Sequence, residues 1–304
     1  MAVDEKVKPL INRVRLGGML TSLSEMREGV SSDGVPYVSF SGKIACDPDG
    51  IIELPFRTFE KAKTKRGTDI KNYPLVIEWY KNAVAKENDP EHATMLEVTG
   101  SLTDNPYVNK EGKLIEGYQY SMKYFSDFKE YKAEIDMEGY VASIVEEVKG
   151  EDETPTGRMR MALVSRDGFN NVLHLQNLVI PADFVEALED AGWEKGATIQ
   201  AAIDIKPNEA PKVVQTSGFG KQHVVANRIR REFVITGGQN AFDEDSTRAI
   251  SKAQAHSMMS ERKAKLDEVE HGGYLGGKTS GGTITRGSIG KNSPVLDDDD
   301  DMPF

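Results

Sequence analysis

The chain has 304 residues, of which 38% are apolar, a formal net charge of -11 and one cysteine, Cys46. That length calls for two domains plus linking sequence, and a lone cysteine excludes an intrachain disulfide and any cysteine-rich zinc site. Apolar runs stop well short of the roughly 18 residues of a membrane span and "MAVDEKVKPL" lacks a signal-peptide core, so a cytoplasmic location with no membrane partner is expected.

Taken in order, Ile11 to Leu23, Pro36 to Cys46 and Gly50 to Lys63 read as β-strands separated by Gly, Ser, Asp and Pro. A helix is expected over "YPLVIEWYKNAV", where Pro74 suits the first helical position and Leu75, Trp79 and Ala83 recur at a spacing of four. "ATMLEVTGSL" and "GYQYSMKYFSDF" supply two more strands. Three strands, a helix and two strands is the order of an OB barrel, which grips oligonucleotides across its face and loops. The order then recurs. "AEIDMEGYVASIVEEV", "GRMRMALVSRD" and "NNVLHLQNLVI" are strand-like; "PADFVEALEDAGW" opens on Pro181 and spaces Phe184, Leu188 and Ala191 along one helix face; "ATIQAAIDI" and "ANRIRREFVIT" close the set.

The expected fold is therefore mainly β: two tandem OB-fold barrels, each with a helix between strands three and four, and a flexible C-terminal region with an acidic tip. The divisions fall at 1–130 and 131–238 for the two barrels and at 239–271 for a connector of helical composition. In that connector a ragged apolar stripe predicts a marginal or partner-dependent helix. A Gly-rich coil over 272–294 and the tip over 295–304 complete the chain.

Charge is unevenly distributed, which matters more than its sum. Arg57 to Lys71 carries six basic residues, Arg66 among them, against Glu60 and Asp69. If Ile52, Leu54 and Phe56 point into the barrel, period-two alternation sends Arg57, Phe59, Lys61, Lys63 and Lys65 to the other face. The same parity turns Tyr37 and Lys43 outward on the preceding strand and exposes Arg13 and Arg15 on the first. Cations that meet phosphates, around rings on which bases stack, are what single-strand binding requires. A solvated edge strand blocked by lysines fits the same stretch, and both readings stay open here. In the second half, Arg158, Arg160 and Arg166 share one side of a strand, and Arg228 and Arg230 share a parity. With fewer rings, that half suits either backbone contacts or oligomerisation.

"INRVRLGGMLT" resembles the opening strand of bacterial-type single-stranded DNA-binding proteins. "EVTGSLTDNPYVNKEGKLIEGYQYSMKYFSDF" resembles that family's fourth strand, long hairpin and fifth strand, including a Tyr-x-Asn-x-x-Gly tip from Tyr107 to Gly112, and "DDDDDMPF" resembles its acidic end. The resemblance covers Ile11 to Phe128 unevenly and the last eight residues; the second barrel carries no signature of it. It implies a non-enzymatic, phage- or bacterial-type protein that coats single-stranded DNA in replication, recombination and repair, without cofactor or metal. It implies DNA contacts from the residues above and from Tyr107. It also implies docking of replication and recombination proteins on Asp297, Asp298, Asp299, Asp300, Asp301, Met302, Pro303 and Phe304, and a homodimer, with a monomer left open by the divergence. The alternative is an OB-fold adaptor or recombination mediator that works through protein contacts.

Two other signals are set aside. "GGYLGGKTS" matches the P-loop letters around Lys278 but lacks the preceding strand and following helix that such a loop needs. His92, His174, His223, His256 and His271 are scattered, without metal-ligand spacing, and no catalytic constellation is present in the sequence.

Overall fold

The computed structural model describes residues 10–149, 153–208 and 231–271. The first half contributes β1 (Asn12–Leu23), β2 (Arg27–Val30), β3 (Pro36–Ala45), β4 (Glu53–Lys61), α1 (Asn72–Asn82), β5 (Met95–Asp104), β6 (Tyr107–Val108), β7 (Leu114–Ile115) and β8 (Tyr118–Asp127). The second half contributes β9 (Lys132–Lys149), β10 (Thr154–Arg166), β11 (Val172–Ile180), a 3-10 turn (Ala182–Phe184) leading into α2 (Val185–Asp190), β12 (Thr198–Pro207), β13 (Arg231–Gly238) and α3 (Lys252–His271).

Strand pairing closes two five-stranded barrels. The first runs β1-β3-β4-β8-β5 and back to β1; the second runs β9-β10-β11-β13-β12 and back to β9. In each, the third and fifth strands are parallel, β4 with β8 and β11 with β13, and every other pairing is antiparallel. A helix sits between the third and fourth strands in both, α1 and α2 respectively, which is the OB order. The barrels are not separate beads. Asn12 to Gly17 of β1 pairs antiparallel with Lys132 to Met137 of β9, making one sheet of eleven strands.

Both barrels turn their first strand at the same kind of corner. β1 exchanges β5 for β3 at Met19, and β9 exchanges β12 for β10 at Tyr140. A glycine precedes each. A Cβ on Gly18 would lie 1.9 Å from the Ala45 carbonyl oxygen, and one on Gly139 would lie 2.7 Å from the Val164 carbonyl oxygen, so only hydrogen fits at either corner.

Alternation builds the interior. Val14, Leu16 and Leu20 of β1, Val38 and Ile44 of β3 and Leu54 and Phe56 of β4 are buried in the first barrel; Ile135, Leu163, Leu175, Ile203 and Ile235 are buried in the second, and the two interiors merge into one apolar cluster. The first helix differs from expectation. It starts at Asn72, so Pro74 is its third residue, still in the turn whose N–H groups have no intrahelical partner. Its buried residue is Val76, while Leu75 faces solvent. The stripe that packs inward combines Tyr73, Ile77 and Tyr80 with Trp79, which stacks on Phe125 at 4.0 Å. In the second barrel Phe184, Leu188 and Ala191 do pack on the core.

Candidate nucleic-acid interface

The outer wall of the β3–β4 hairpin carries the cations and rings expected there. Tyr37 lies opposite Lys61, Ser39 opposite Phe59 and Ser41 opposite Arg57. The rings of Tyr37 and Phe59 are 5.0 Å apart and tilted by 32°, and Phe59 is 39% exposed. Its neighbours in β4, Thr58 and Glu60, are buried, so the strand's alternation holds the ring outside against the pull of burial. Arg57 is exposed and makes no ion pair among the described residues. Lys61 Nζ meets Asp33 Oδ1 at 3.0 Å and Lys43 Nζ meets Glu53 at 3.4 Å. The Ser31 hydroxyl and the Lys61 ammonium hold the Asp33 carboxyl down at about 2. Such open pairs are worth little in water.

Lys63 and Lys65 correct the parity argument. β4 ends at Lys61; Lys63 sits in a lone bridge with Asp69, 3.8 Å from its carboxylate, and Lys65 and Arg66 are exposed in the following turn. These cations border the wall at its end instead of continuing its row. Arg13 is exposed on β1. Arg15 is not free: its guanidinium pairs with Glu134 at 3.0 Å and Asp136 at 3.2 Å across the barrel seam.

A third ring, missed in the sequence, joins the wall. β8 runs beside β4 with Ser121 opposite Arg57, and its pairing with β5 slips at Lys123, so Met122 faces Gly100 while Tyr124 faces Thr99. Strict alternation puts Tyr118, Tyr120, Met122 and Tyr124 all inside. The bulge re-aims the residues that follow it: Tyr124 turns outward, 60% exposed, and Phe125 turns in to stack on Trp79.

The corresponding wall of the second barrel is closed. Arg158 pairs with Glu147 at 3.0 Å and Glu232 at 2.8 Å, and Arg160 pairs with Glu232 at 2.7 Å and with Glu147. Burial opposes the Glu147 charge, but the Thr156 hydroxyl and Arg160 hold its carboxyl below the usual range. Arg166 is tied to Glu261 of α3 at 2.8 Å and to the Asn170 carbonyl at 2.7 Å. The expected basic row on β10 is thus neutralised from β9, β13 and α3.

A family model named YorF matches residues 11–272. The chain belongs to the YorF family. No curated protein matches this YorF chain. Among solved structures, it is similar to the wild-type single-stranded DNA-binding protein from Thermus aquaticus, at 12% identity and a TM-score of 0.44, with 78% of this chain and 96% of that one covered. A deletion mutant of the same Thermus aquaticus protein gives 13% identity and a TM-score of 0.42, with 78% and 98% covered.

Tyr107, from the long-hairpin resemblance, lies half-buried in β6, opposite Ile115 of β7. Arg228, Arg230, His223, the P-loop-like stretch with Lys278 and the acidic end from Asp297 to Phe304 lie outside the described residues of the YorF chain. Among the described residues no group of three or more His, Cys, Asp or Glu side chains is placed to hold a metal, and no helix is long and apolar enough to cross a membrane. Cys46 is buried, and that burial pushes its thiol up to about 12, which leaves it an inert core side chain.

Proposed function

We propose that this YorF-family chain binds single-stranded DNA without sequence preference across the β3–β4–β8 wall of its first barrel. Tyr37, Phe59 and Tyr124 would supply stacking faces, and Arg57, Lys61, Lys63, Lys65 and Arg66 would meet phosphates. The observation that carries the reading is the Tyr37–Phe59 ring pair held outside an OB barrel next to the guanidinium of Arg57, which has no ion-pair partner among the described residues. At 39% exposure Phe59 draws only part of the folding free energy of a core ring, and its open face is left to stack on a base, which is worth about 1–3 kcal/mol. Arg158, Arg160 and Arg166 take no part, because each is already neutralised.

The reading extends by sequence alone to a role in replication, recombination or repair, to partner proteins docking on Asp297 to Phe304, to a homodimer, and to a division of the chain near residues 130 and 238. Fluorescence anisotropy with labelled oligo(dT) and a duplex of equal length, at two salt concentrations, tests it. Tighter, salt-sensitive binding of the single strand is expected, with strong loss in the combined Arg57→Gln, Phe59→Ala, Lys61→Gln, Lys63→Gln variant. Equal affinity in that variant, or preference for the duplex, overturns the proposal.

A further inference from the structure

Where the first barrel leaves its hairpin wall open, the second barrel has a helix seated on it. Ala255 and Met258 of α3, with Ile250 before it, pack on Val164 of β10 and Val172 of β11. Arg262, on the same buried side of the helix, is 2% exposed and reaches from there into the first barrel. Its Nη1 donates to Asp104 Oδ1 at 2.5 Å and to the Val172 carbonyl at 3.0 Å, and its Nη2 donates to Glu116 Oε2 at 3.0 Å. Lys265 Nζ adds a bond to Asp104 Oδ2 at 2.9 Å. Asp104 ends β5 and Glu116 follows β7, so the two carboxylates bracket the β6–β7 hairpin. Two residues per strand cannot hold a hairpin in place unaided, and α3 packs on both of its strands. The hairpin tip carries Lys110 and Lys113, exposed and without ion pairs among the described residues. In an OB barrel this hairpin is the connection between strands four and five, one of the loops that flank an oligonucleotide.

We propose that Arg262 is a positioning residue for the nucleic-acid site: from a helix seated on the second barrel, it fixes the β6–β7 hairpin so that Lys110 and Lys113 form one bank of the strand path over the first. The inference rests on the function proposed above. It gives the second barrel a task other than gripping nucleic acid, since its wall holds α3 in the place where the first barrel would hold a strand. A guanidinium suits the task because its fork reaches two carboxylates and a carbonyl at fixed angles, which an ammonium on a flexible stem does not.

Three variants of the full chain test this: Arg262→Lys, Glu116→Ala, which removes only the half-exposed hairpin-side partner, and Lys110→Ala with Lys113→Ala. Far-UV circular dichroism checks the fold, hydrogen–deuterium exchange reads residues 105–117, and anisotropy reads oligo(dT) affinity. Arg262→Lys and Glu116→Ala are expected to keep the fold, speed exchange in 105–117 and weaken oligo(dT) binding by about fivefold. Removing the two tip lysines should weaken the parent chain similarly yet add little once Arg262→Lys is present, the mark of one shared route. Unchanged affinity with faster exchange shows that the hairpin does not border the path, and unchanged exchange shows that Arg262 does not hold it; either overturns the inference while the function stands. A parent chain without affinity for oligo(dT) overturns the function itself and this inference with it. If Arg262→Lys does not fold, Glu116→Ala decides alone.

Discussion

Phe59 allows folding and binding to be separated at one side chain. Fully burying a Phe is worth about 1.5–3 kcal/mol; at 39% exposure Phe59 draws roughly three-fifths of that, about 1–2 kcal/mol, and the contact with Tyr37 adds about 0.5–1.5 kcal/mol. Phe59→Ala should therefore destabilise by about 2 kcal/mol, against about 3–5 kcal/mol for Phe56→Ala on the inner face, where the ring is 2% exposed. Phe59→Leu keeps most of the apolar cover and loses only the ring, so about 1 kcal/mol is expected. Binding should behave differently. Each variant forfeits one stacked base, about 1–3 kcal/mol or about 5- to 150-fold in affinity, and leucine should be almost as damaging as alanine. Urea denaturation gives the first quantity and oligo(dT) anisotropy the second. If Phe59→Leu binds like the parent chain, the ring is a packing element and the stacking argument fails.

Three further outcomes follow from the same geometry. Arg57→Gln should flatten the dependence of log affinity on log salt by about 0.7, the share of one single-strand phosphate, with stability unchanged; an unaltered slope means that Arg57 meets no phosphate. Arg160→Ala should leave oligo(dT) affinity within twofold of the parent while costing about 1–3 kcal/mol in urea denaturation, because Glu147 and Glu232 lose a shared partner; weaker binding at intact stability would restore this arginine to the interface. Burial and the nearby Arg262 push the His174 imidazole below its ordinary 6.5. The unfolded chain therefore binds the extra proton first, and the stability that neutral His174 carries is present above pH 6.5 and lost as pH falls toward the lower folded value. Thermal melts between pH 7.5 and 5 should show that loss, and His174→Gln should reduce it; equal pH slopes in both chains would refute it.

The barrels were legible in the sequence because alternation and turn residues encode strands locally. Leu54, Phe56, Arg57 and Phe59 report their faces by spacing alone. What escaped depends on partners distant in the chain or on a break in the period. The bulge at Lys123 costs one residue of register, and that slip puts Tyr124 on the surface where unbroken alternation would put it inside. Arg160 and Glu232 lie 72 positions apart, so nothing near "GRMRMALV" reveals that its cations are spent. α3 seemed poorly amphipathic because one of its three buried residues is Arg262, whose partners, Asp104 and Glu116, belong to the other barrel. A hydropathy pattern counts that position as solvent.

The seam between β1 and β9 has a consequence for dissecting this molecule. A cut after residue 130 would strip β1 of its neighbour from Asn12 to Gly17, baring a ladder of donors and acceptors that adjoining molecules can extend. Isolated halves should therefore clump, whereas the intact polypeptide should melt in a single step, because neither half can open without breaking the ladder between β1 and β9 and the apolar cluster that both share.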